Sequence, residues 1–124
     1  MLQNDVFSNR LGINILKIEA GYCNCSLLVK DDMLNGFSIA HGGIAFSLAD
    51  SAAAFAANAN GWKALTLHSS TDFCKAAEVN LELIAEAIQQ CHQGRNLYYN
   101  VLVKQNNIIV LRQQVILVQT REAW

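Results

Sequence analysis

Hydrophobic and polar residues alternate over much of the chain, which predicts a protein built mainly from β-strands. Between Ile13 and Lys30 two alternating stretches flank Gly21, and they predict a pair of strands joined by a turn. The second half of the chain carries further β-rich stretches separated by short polar segments, at residues 63–75, 81–92, 95–104 and 108–119. The pattern therefore predicts five to six antiparallel strands joined by short turns.

The segment from Gly42 to Asn60 lacks this alternation and predicts one long helix. It reads GGIAFSLADSAAAFAANAN, contains eight alanines, and is followed by Gly61, a favourable residue for ending a helix. Because nearly every side of this helix is apolar, we expect it to be buried nearly all round. The first ten residues predict a short helix that starts near Asn4 or Asp5, and residues 31–40 predict a loop.

One buried helix among antiparallel strands predicts an α+β fold in which a curled sheet wraps the helix. The length of 124 residues is that of a single domain, so we expect residues 1–124 to form one unit. A curled sheet has exposed edge strands, and these favour an oligomer joined edge to edge.

Composition and charge exclude several classes of protein. Hydrophobic residues make up 52% of the chain and charged residues 15%, which excludes disorder. A net charge of -1, with the nine Lys and Arg residues scattered, is not that of a nucleic-acid-binding protein. The sequence shows neither a membrane span nor a signal peptide, so we expect a soluble cytoplasmic protein that binds no membrane.

Four cysteines, Cys23, Cys25, Cys74 and Cys91, do not have the spacing of a zinc site. We expect reduced thiols and no bound metal.

The motif His41-Gly42-Gly43 directly precedes the long helix. Free backbone N–H groups at a helix N-terminus favour negative charge on a ligand oxygen, and glycines allow a substrate to approach closely. The same glycines could instead serve only to shape a tight corner. Asn35 lies on the loop that enters this helix end, where its amide could donate to an oxyanion or could simply form an Asn-Gly turn.

Asp50 is the only charged residue of the predicted helix. A carboxylate in apolar surroundings has a raised pKa and is a candidate nucleophile or general base. The alternative is a narrow wet face on which Asp50 and Ser47 are exposed. Gly42 and Asp50 are eight residues apart, about 12 Å along a helix, so one helix cannot bring both to one substrate. Two antiparallel copies across a two-fold axis can, and would form two equal sites.

Two further segments carry candidate groups. In the stretch LTLHSSTDFCK, alternation predicts Thr66, His68, Ser70 and Asp72 on one strand face. The hydroxyl of Thr66 could orient a water beside Asp50, or the face could simply be solvated. The Gly94-Arg95 turn offers a cation suited to a phosphate.

The stretch MLNGFSIAHGGIAFSLADSAAAFAANANG resembles the signature of hotdog-fold acyl-CoA thioesterases. It is closest to the phenylacetate-degradation type, which is 4-hydroxybenzoyl-CoA thioesterase-like. Those enzymes carry a Leu-Asn-Gly loop, His-Gly-Gly, and a helix with Leu-Ala-Asp and an alanine-rich tail. The resemblance extends from Asn4-Asp5 to Phe73, and more weakly to the C-terminus.

This resemblance implies a hotdog fold, homodimers with sites at the subunit interface, and their assembly into homotetramers. It implies hydrolysis of a small or aromatic acyl-CoA, with no cofactor because coenzyme A is part of the substrate. The match to the motif implies a role for each residue. Asp50 would be the nucleophile or the base toward water, Gly42 the oxyanion-binding amide, and Asn35 a contact to the thioester carbonyl. His41 would orient the loop, Thr66 would hold water, and the substrate-binding positions would be Gly43, Gly94 and Arg95.

Two departures and two alternatives stand beside this interpretation. The family usually has a proline within the segment Phe73 to Ala76, and Gly-Asp where this chain has Asn80-Leu81. These two departures call into question the geometry of the loops near the coenzyme. A hydratase or dehydratase could use His41 and Asp50, but the loop before the helix lacks the proline-rich pattern of those enzymes. The other alternative is a non-catalytic module that binds acyl thioesters. An apolar or amide residue at position 50 would have favoured it, but the residue there is Asp50.

Overall fold

Six antiparallel strands form one sheet, and a single long helix packs across its inner face. The computed structural model describes all 124 residues. The elements in chain order are a 3-10 turn at Leu2–Asn4, α1 at Val6–Leu11, β1 at Asn14–Glu19, β2 at Tyr22–Leu28, a 3-10 turn at Asp31–Met33, α2 at Gly42–Asn58, β3 at Trp62–Phe73, β4 at Glu82–Gln93, β5 at Asn96–Gln105 and β6 at Ile108–Ala123. The strand order is β1-β2-β4-β5-β6-β3. Neither α1 nor α2 combines the length and apolarity that crossing a bilayer would require.

The sheet curls because α2 packs against every strand. Alternate strand residues turn inward, among them Leu27, Leu83 and Leu117, and they meet Leu48 and Phe55 of the helix. Removal of a leucine or phenylalanine side chain of this kind from water contributes roughly 1.5–3 kcal/mol. The buried alanines of α2 keep that helix thin and let the strands approach closely. The predicted α+β architecture is confirmed.

One stripe of α2 stays uncovered, so the prediction of a helix buried nearly all round is wrong for the single chain. Gly43, Ser47, Asp50 and Ala54 are half-buried and Phe46 is exposed, whereas the residues between them are buried except for the half-buried Ile44. Residues three and four apart share one helix face, so these positions form a continuous strip. A sheet of six strands wraps only part of the helix circumference, and this strip lies beyond its reach.

The helix ends at Asn58, two residues before the predicted end, because the Asn58 side chain closes the turn into β3. Its Nδ2 donates to the carbonyls of Ala54 at 2.8 Å and Ala64 at 3.1 Å, and its Oδ1 accepts from the Ala64 N–H at 2.9 Å. Gly61, with φ of +95°, lies beyond this turn and does not cap the helix directly. At the other end of the chain, β6 continues to Ala123, past the predicted limit at residue 119.

A β-bulge in β3 overturns the prediction that Thr66, His68, Ser70 and Asp72 share one face. Thr66 pairs with Leu117 and His68 pairs with Ile116, so the register shifts by one residue between them. A bulge of this kind reverses the alternation. Thr66 therefore lies on the inner side of the sheet, beside α2, whereas the other three line shallow cavities on its outer face.

The four cysteines are free thiols. Cys23 and Cys25 lie together on the inner face of β2 and are buried, and Cys74 and Cys91 are exposed. No three His, Cys, Asp or Glu side chains come together in a group that could hold a metal ion.

The two edge strands of the sheet differ in character. β1 is six residues long, carries Lys17 and Glu19, and is interrupted by a register shift, all features that discourage further pairing. β3 is twelve residues long, and its Leu65 and Leu67 side chains are 65% and 61% exposed. The sheet therefore has one protected edge and one apolar edge beside the uncovered stripe of α2.

Candidate active site

The N-terminus of α2 presents an unpaired backbone donor. His41 caps the helix: its backbone N–H donates to the carbonyl of Met33 at 2.8 Å, and its Nδ1 accepts from the Gly43 N–H at 2.9 Å. This leaves the Gly42 N–H without a hydrogen-bond partner in the chain. Because the first N–H groups of a helix carry the positive end of its macrodipole, this donor is suited to an oxygen on which negative charge develops.

Both glycines of the motif stand where a side chain would be crowded. A Cβ on Gly42 would lie 3.2 Å from Cε1 of the Phe73 ring, and a Cβ on Gly43 would lie 3.1 Å from Nδ1 of His41. Gly43 therefore allows His41 to fold back over the helix end. Its own N–H is occupied by that imidazole, so Gly42 is the donor that remains available.

Asn35 lies in the loop that leads into this helix end. Its Oδ1 accepts from the Phe37 N–H at 2.8 Å, and its backbone N–H donates to the Ile39 carbonyl at 2.8 Å. Because the side-chain oxygen is engaged, the amide nitrogen is the group left free to donate. Asn35 and Gly42 line the same cavity of about 410 Å³.

The second reactive group lies further along α2. Asp50 is half-buried, and Oγ1 of Thr66 donates to its Oδ1 at 3.1 Å across the inner side of β3. Burial raises the pKa of the Asp50 carboxyl, the Thr66 hydrogen bond lowers it in part, and the negative charge of Asp5 raises it again. Asp50 and Thr66 are thus brought together as expected, in surroundings that favour a basic carboxylate.

Sequence reasoning did not find the polar group next to Asp50. Oγ of Ser51 lies 2.9 Å from Oγ of Ser8 in α1, and Ser8 is in turn bound to the carboxylate of Asp5. The only signal in the sequence was the capping preference of Asn4 or Asp5, which predicted the start of α1 and nothing about α2.

The sequence also did not predict which residues outside the motif line the cavity at Gly42. Phe73, Cys74 and Lys75 line the cavity at Gly42 because β3 ends beside the start of α2. This is the segment in which the sequence departs from the proline-containing pattern.

The donors and the carboxylate do not share one cavity within the chain. Asn35, His41 and Gly42 meet at the start of α2, whereas Asp50 and Thr66 lie about 12 Å further along its axis. Gly94 and Arg95 lie further still. The backbone carbonyl of Arg95 accepts from the N–H of Gln119 at 2.7 Å, and Gln119 pairs with Ala64 just beyond the C-terminal end of α2. That end is about 24 Å from Gly42.

Comparisons with known proteins agree with this architecture. The family described as Thioesterase superfamily matches residues 37–110, which include the helix motif and most of the sheet. The Escherichia coli acyl-coenzyme A thioesterase PaaI is 38% identical over 95 residues, 77% of this chain and 67% of that protein. A provisionally named esterase of Archaeoglobus fulgidus is 37% identical over 113 residues, 90% of this chain and 73% of that protein.

Solved structures confirm the hotdog fold. The structure of E. coli PaaI superposes with a TM-score of 0.96, covering 99% of this chain and 90% of that one at 27% identity. A variant of the phenylacetic acid degradation protein PaaI from Thermus thermophilus gives a TM-score of 0.88, covering 92% of this chain and 97% of that one at 27% identity.

The environment of Asp50 predicts that Asp50→Asn stabilises the fold near pH 7. Because its pKa is raised in the folded state, the stability linked to its protonation is complete below the ordinary aspartate value of about 3.9 and is lost as pH rises through the folded value. An amide resembles the protonated acid, so the gain should be present at pH 7 and shrink at pH 4. Urea unfolding midpoints of both proteins at these two pH values measure it.

Glu82→Gln serves as the control, because Glu82 is an exposed carboxylate that makes no side-chain hydrogen bond or ion pair. It should change the midpoint little at either pH. A lower midpoint for Asp50→Asn at pH 7 than for the unaltered protein would contradict the prediction.

Proposed function

The chain belongs to the thioesterase superfamily, whose chemistry is thioester hydrolysis, and we propose that this enzyme hydrolyses small or aromatic acyl-CoA thioesters to the free acid and coenzyme A. One observation carries the proposal: α2 presents both the unpaired Gly42 N–H and the half-buried, basic carboxylate of Asp50. The similarity to PaaI supports the substrate class.

The oxyanion of the reaction would form at the start of α2. The thioester carbonyl oxygen accepts from the Gly42 N–H at the positive end of the helix dipole, and the amide of Asn35 supplies a second donor. His41 holds this end in place through its bond to Gly43. Preorganised donors of this type each lower the barrier by about 3–4 kcal/mol.

Asp50 would supply the attacking group. Its Oδ1 is held by Thr66, and its second oxygen is free either to attack the carbonyl carbon or to remove a proton from water. A raised pKa makes the carboxylate a stronger base in either role. The thiolate of coenzyme A then leaves without strong acid assistance, since thiols have a pKa near 8.5. If Asp50 is the nucleophile, water then hydrolyses the resulting acyl-aspartate anhydride, which releases the acid and restores the carboxylate. This mechanism uses no metal or redox cofactor.

A homodimer would complete the site. The apolar edge of β3 adjoins the uncovered stripe of α2, so antiparallel pairing of two β3 strands would cover both. The two α2 helices would then run antiparallel, and Gly42 of one protomer would approach Asp50 of its partner. Because about 12 Å separates them within one helix, each site draws its donor and its carboxylate from different protomers. Further assembly to a homotetramer follows the family resemblance.

The same arrangement accounts for Arg95. It lies near the C-terminal end of α2, opposite Gly42 in its own chain. Antiparallel helices bring the partner's C-terminal end toward Gly42, where the cation could contact a phosphate of coenzyme A near the Gly94 turn.

The proposal predicts that Asp50→Asn loses at least about a hundredfold in turnover, as expected for removal of a nucleophile or general base. Release of free thiol from short-chain, long-chain and aryl acyl-CoAs measures the loss on the best substrate. Glu82→Gln should keep full activity. Near-normal kcat in a folded Asp50→Asn protein would contradict the mechanism, and binding of acyl-CoA without turnover by the unaltered protein would favour the non-catalytic module.

Shared sites predict complementation between two inactive variants. Gly42→Pro removes the N–H donor and still fits the helix, because proline is favoured at the first helical position. The preceding residue, His41, already has the extended backbone that proline requires, with φ of -57° and ψ of 136°. We expect a loss of about 10²–10³ in kcat. Mixing it with Asp50→Asn should restore about a quarter of normal activity, since half of the dimers are mixed and each carries one intact site.

Gly42→Ala is the matched control because it adds a comparable Cβ beside Phe73 and retains the N–H. It should keep far more activity than Gly42→Pro. No recovery after confirmed subunit exchange would mean that each protomer carries a complete site.

Arg95→Ala is predicted to raise KM about 5- to 30-fold with little change in kcat. A phosphate contact adds mainly ground-state binding, worth about 1–2 kcal/mol at an exposed position. Steady-state kinetics at two salt concentrations measure it, and the effect should shrink with salt.

A truncated N-acetylcysteamine thioester, which lacks the nucleotide, provides the control. Arg95→Ala should leave its KM unchanged. Equal losses on both substrates would show that Arg95 supports the fold, and Lys75, which lines the cavity at Gly42, would become the better candidate for the phosphate.

A further inference from the structure

A buried chain of hydroxyl groups connects the start of α1 to the middle of α2. Oγ of Ser8 lies 2.9 Å from Oγ of Ser51, and the two residues are 1% and 8% exposed. Asp5 completes the chain: its Oδ1 accepts from the Ser8 N–H at 2.9 Å and its Oδ2 accepts from the Ser8 hydroxyl at 2.7 Å. The mechanism above uses none of these three residues, yet Ser51 directly follows Asp50.

Counting protons fixes the direction of this chain. A serine hydroxyl has one proton to donate, and Ser8 donates it to the carboxylate of Asp5. Ser51 must therefore donate to Oγ of Ser8 across the 2.9 Å contact. This direction depends on an ionised Asp5, since a carboxylate only accepts, and bonds to an ionised acceptor are the stronger ones.

The charge of Asp5 also reaches Asp50. From α1, Asp5 raises the pKa of Asp50, and from β3 the Thr66 hydroxyl lowers it, in addition to the effect of burial. The remaining charged residue of α1 is Arg10, in its last turn. The strands beneath α2 contribute the buried titratable groups Cys23, Cys25 and Tyr99. Of all these, only Asp5 places a negative charge that acts on Asp50.

We propose that Asp5 is a positioning residue for the reaction at Asp50, because its carboxylate orients Ser8 and Ser51 and so docks α1 on α2 at the residue that follows Asp50. The proposal rests on the proposed function, in which Asp50 attacks or acts as base. Like-charge repulsion makes Asp50 more basic, which strengthens it in either role. The consequence is that the enzyme requires a higher pH for activity than it would if Asp5 carried no charge.

Asp5→Asn tests the role of the charge. Asparagine is as good a helix cap as aspartate and keeps an oxygen for the Ser8 N–H. The acid limb of the kcat/KM profile reports the ionisation of the free enzyme's essential base. We expect its midpoint to fall by about half a pH unit in Asp5→Asn, as for two charges that interact through partly solvated surroundings. The plateau above it should fall by about two- to threefold, because a less basic carboxylate is less reactive.

Two matched variants separate charge from hydrogen bonding. Ser51→Ala breaks the link between α1 and α2 while Asp5 keeps its charge. Its plateau should therefore fall, while its acid limb remains near that of the unaltered enzyme. Glu82→Gln removes one negative charge from the outer face of the sheet and should change neither limb nor plateau. An unmoved limb in folded Asp5→Asn, or an equal shift in Ser51→Ala or Glu82→Gln, would overturn the proposal.

Asp50→Asn distinguishes this inference from the proposed function. If Asp50→Asn is inactive and Asp5→Asn leaves the limb unmoved, only the role of Asp5 fails. If Asp50→Asn keeps normal turnover, the proposed function fails and the limb belongs to another group. Thermal unfolding establishes that each variant folds, and Asp5→Ser, which also caps helices without charge, repeats the test if Asp5→Asn does not fold.

Discussion

The structure depends on how much of one apolar helix a single sheet can cover. The six strands enclose α2 on the sides that carry Leu48 and Phe55, and they leave the stripe through Gly43, Ser47 and Asp50 half-exposed. The exposed apolar edge of β3 lies beside that stripe. The uncovered stripe, the unpaired edge strand and the Asp50 carboxylate are therefore parts of one surface. The incomplete burial of the helix supplies both the candidate site and the physical basis of the proposed oligomer.

Strong, local signals in the sequence predicted most of the fold. Alternation predicted the strands, and alanine content together with Gly42 predicted α2 from its first residue. Capping preference placed the start of the first helix near Asn4 or Asp5, and the structure shows that Asp5 is the cap. Such signals act over a few residues and depend on backbone preference. The end of α2 was missed because it depends on Asn58, whose side chain contacts Ala64 in the next element, and a tertiary contact of this kind has no local pattern.

The candidate site divides in the same way. The His41-Gly42-Gly43 motif and Asp50 were recognisable because they lie close together in the sequence, on one helix and its N-terminal cap. The separation of Thr66 from His68 was not, because a bulge in β3 arises from its pairing with β6, and period-2 alternation assumes that no bulge is present. The approach of Ser8 to Ser51 joins residues 43 positions apart, and nothing in either segment announces the other.

Asp50 shows how the fold balances stability against reactivity. Burial and the charge of Asp5 both disfavour its ionised form, and the single hydrogen bond from Thr66 compensates only in part. A second donor to the carboxylate would stabilise the folded state at neutral pH, but it would also occupy the oxygen that, in the proposed mechanism, attacks or accepts a proton. The site keeps one oxygen held and one oxygen free, and this division requires the folded chain to tolerate an incompletely satisfied charge on α2.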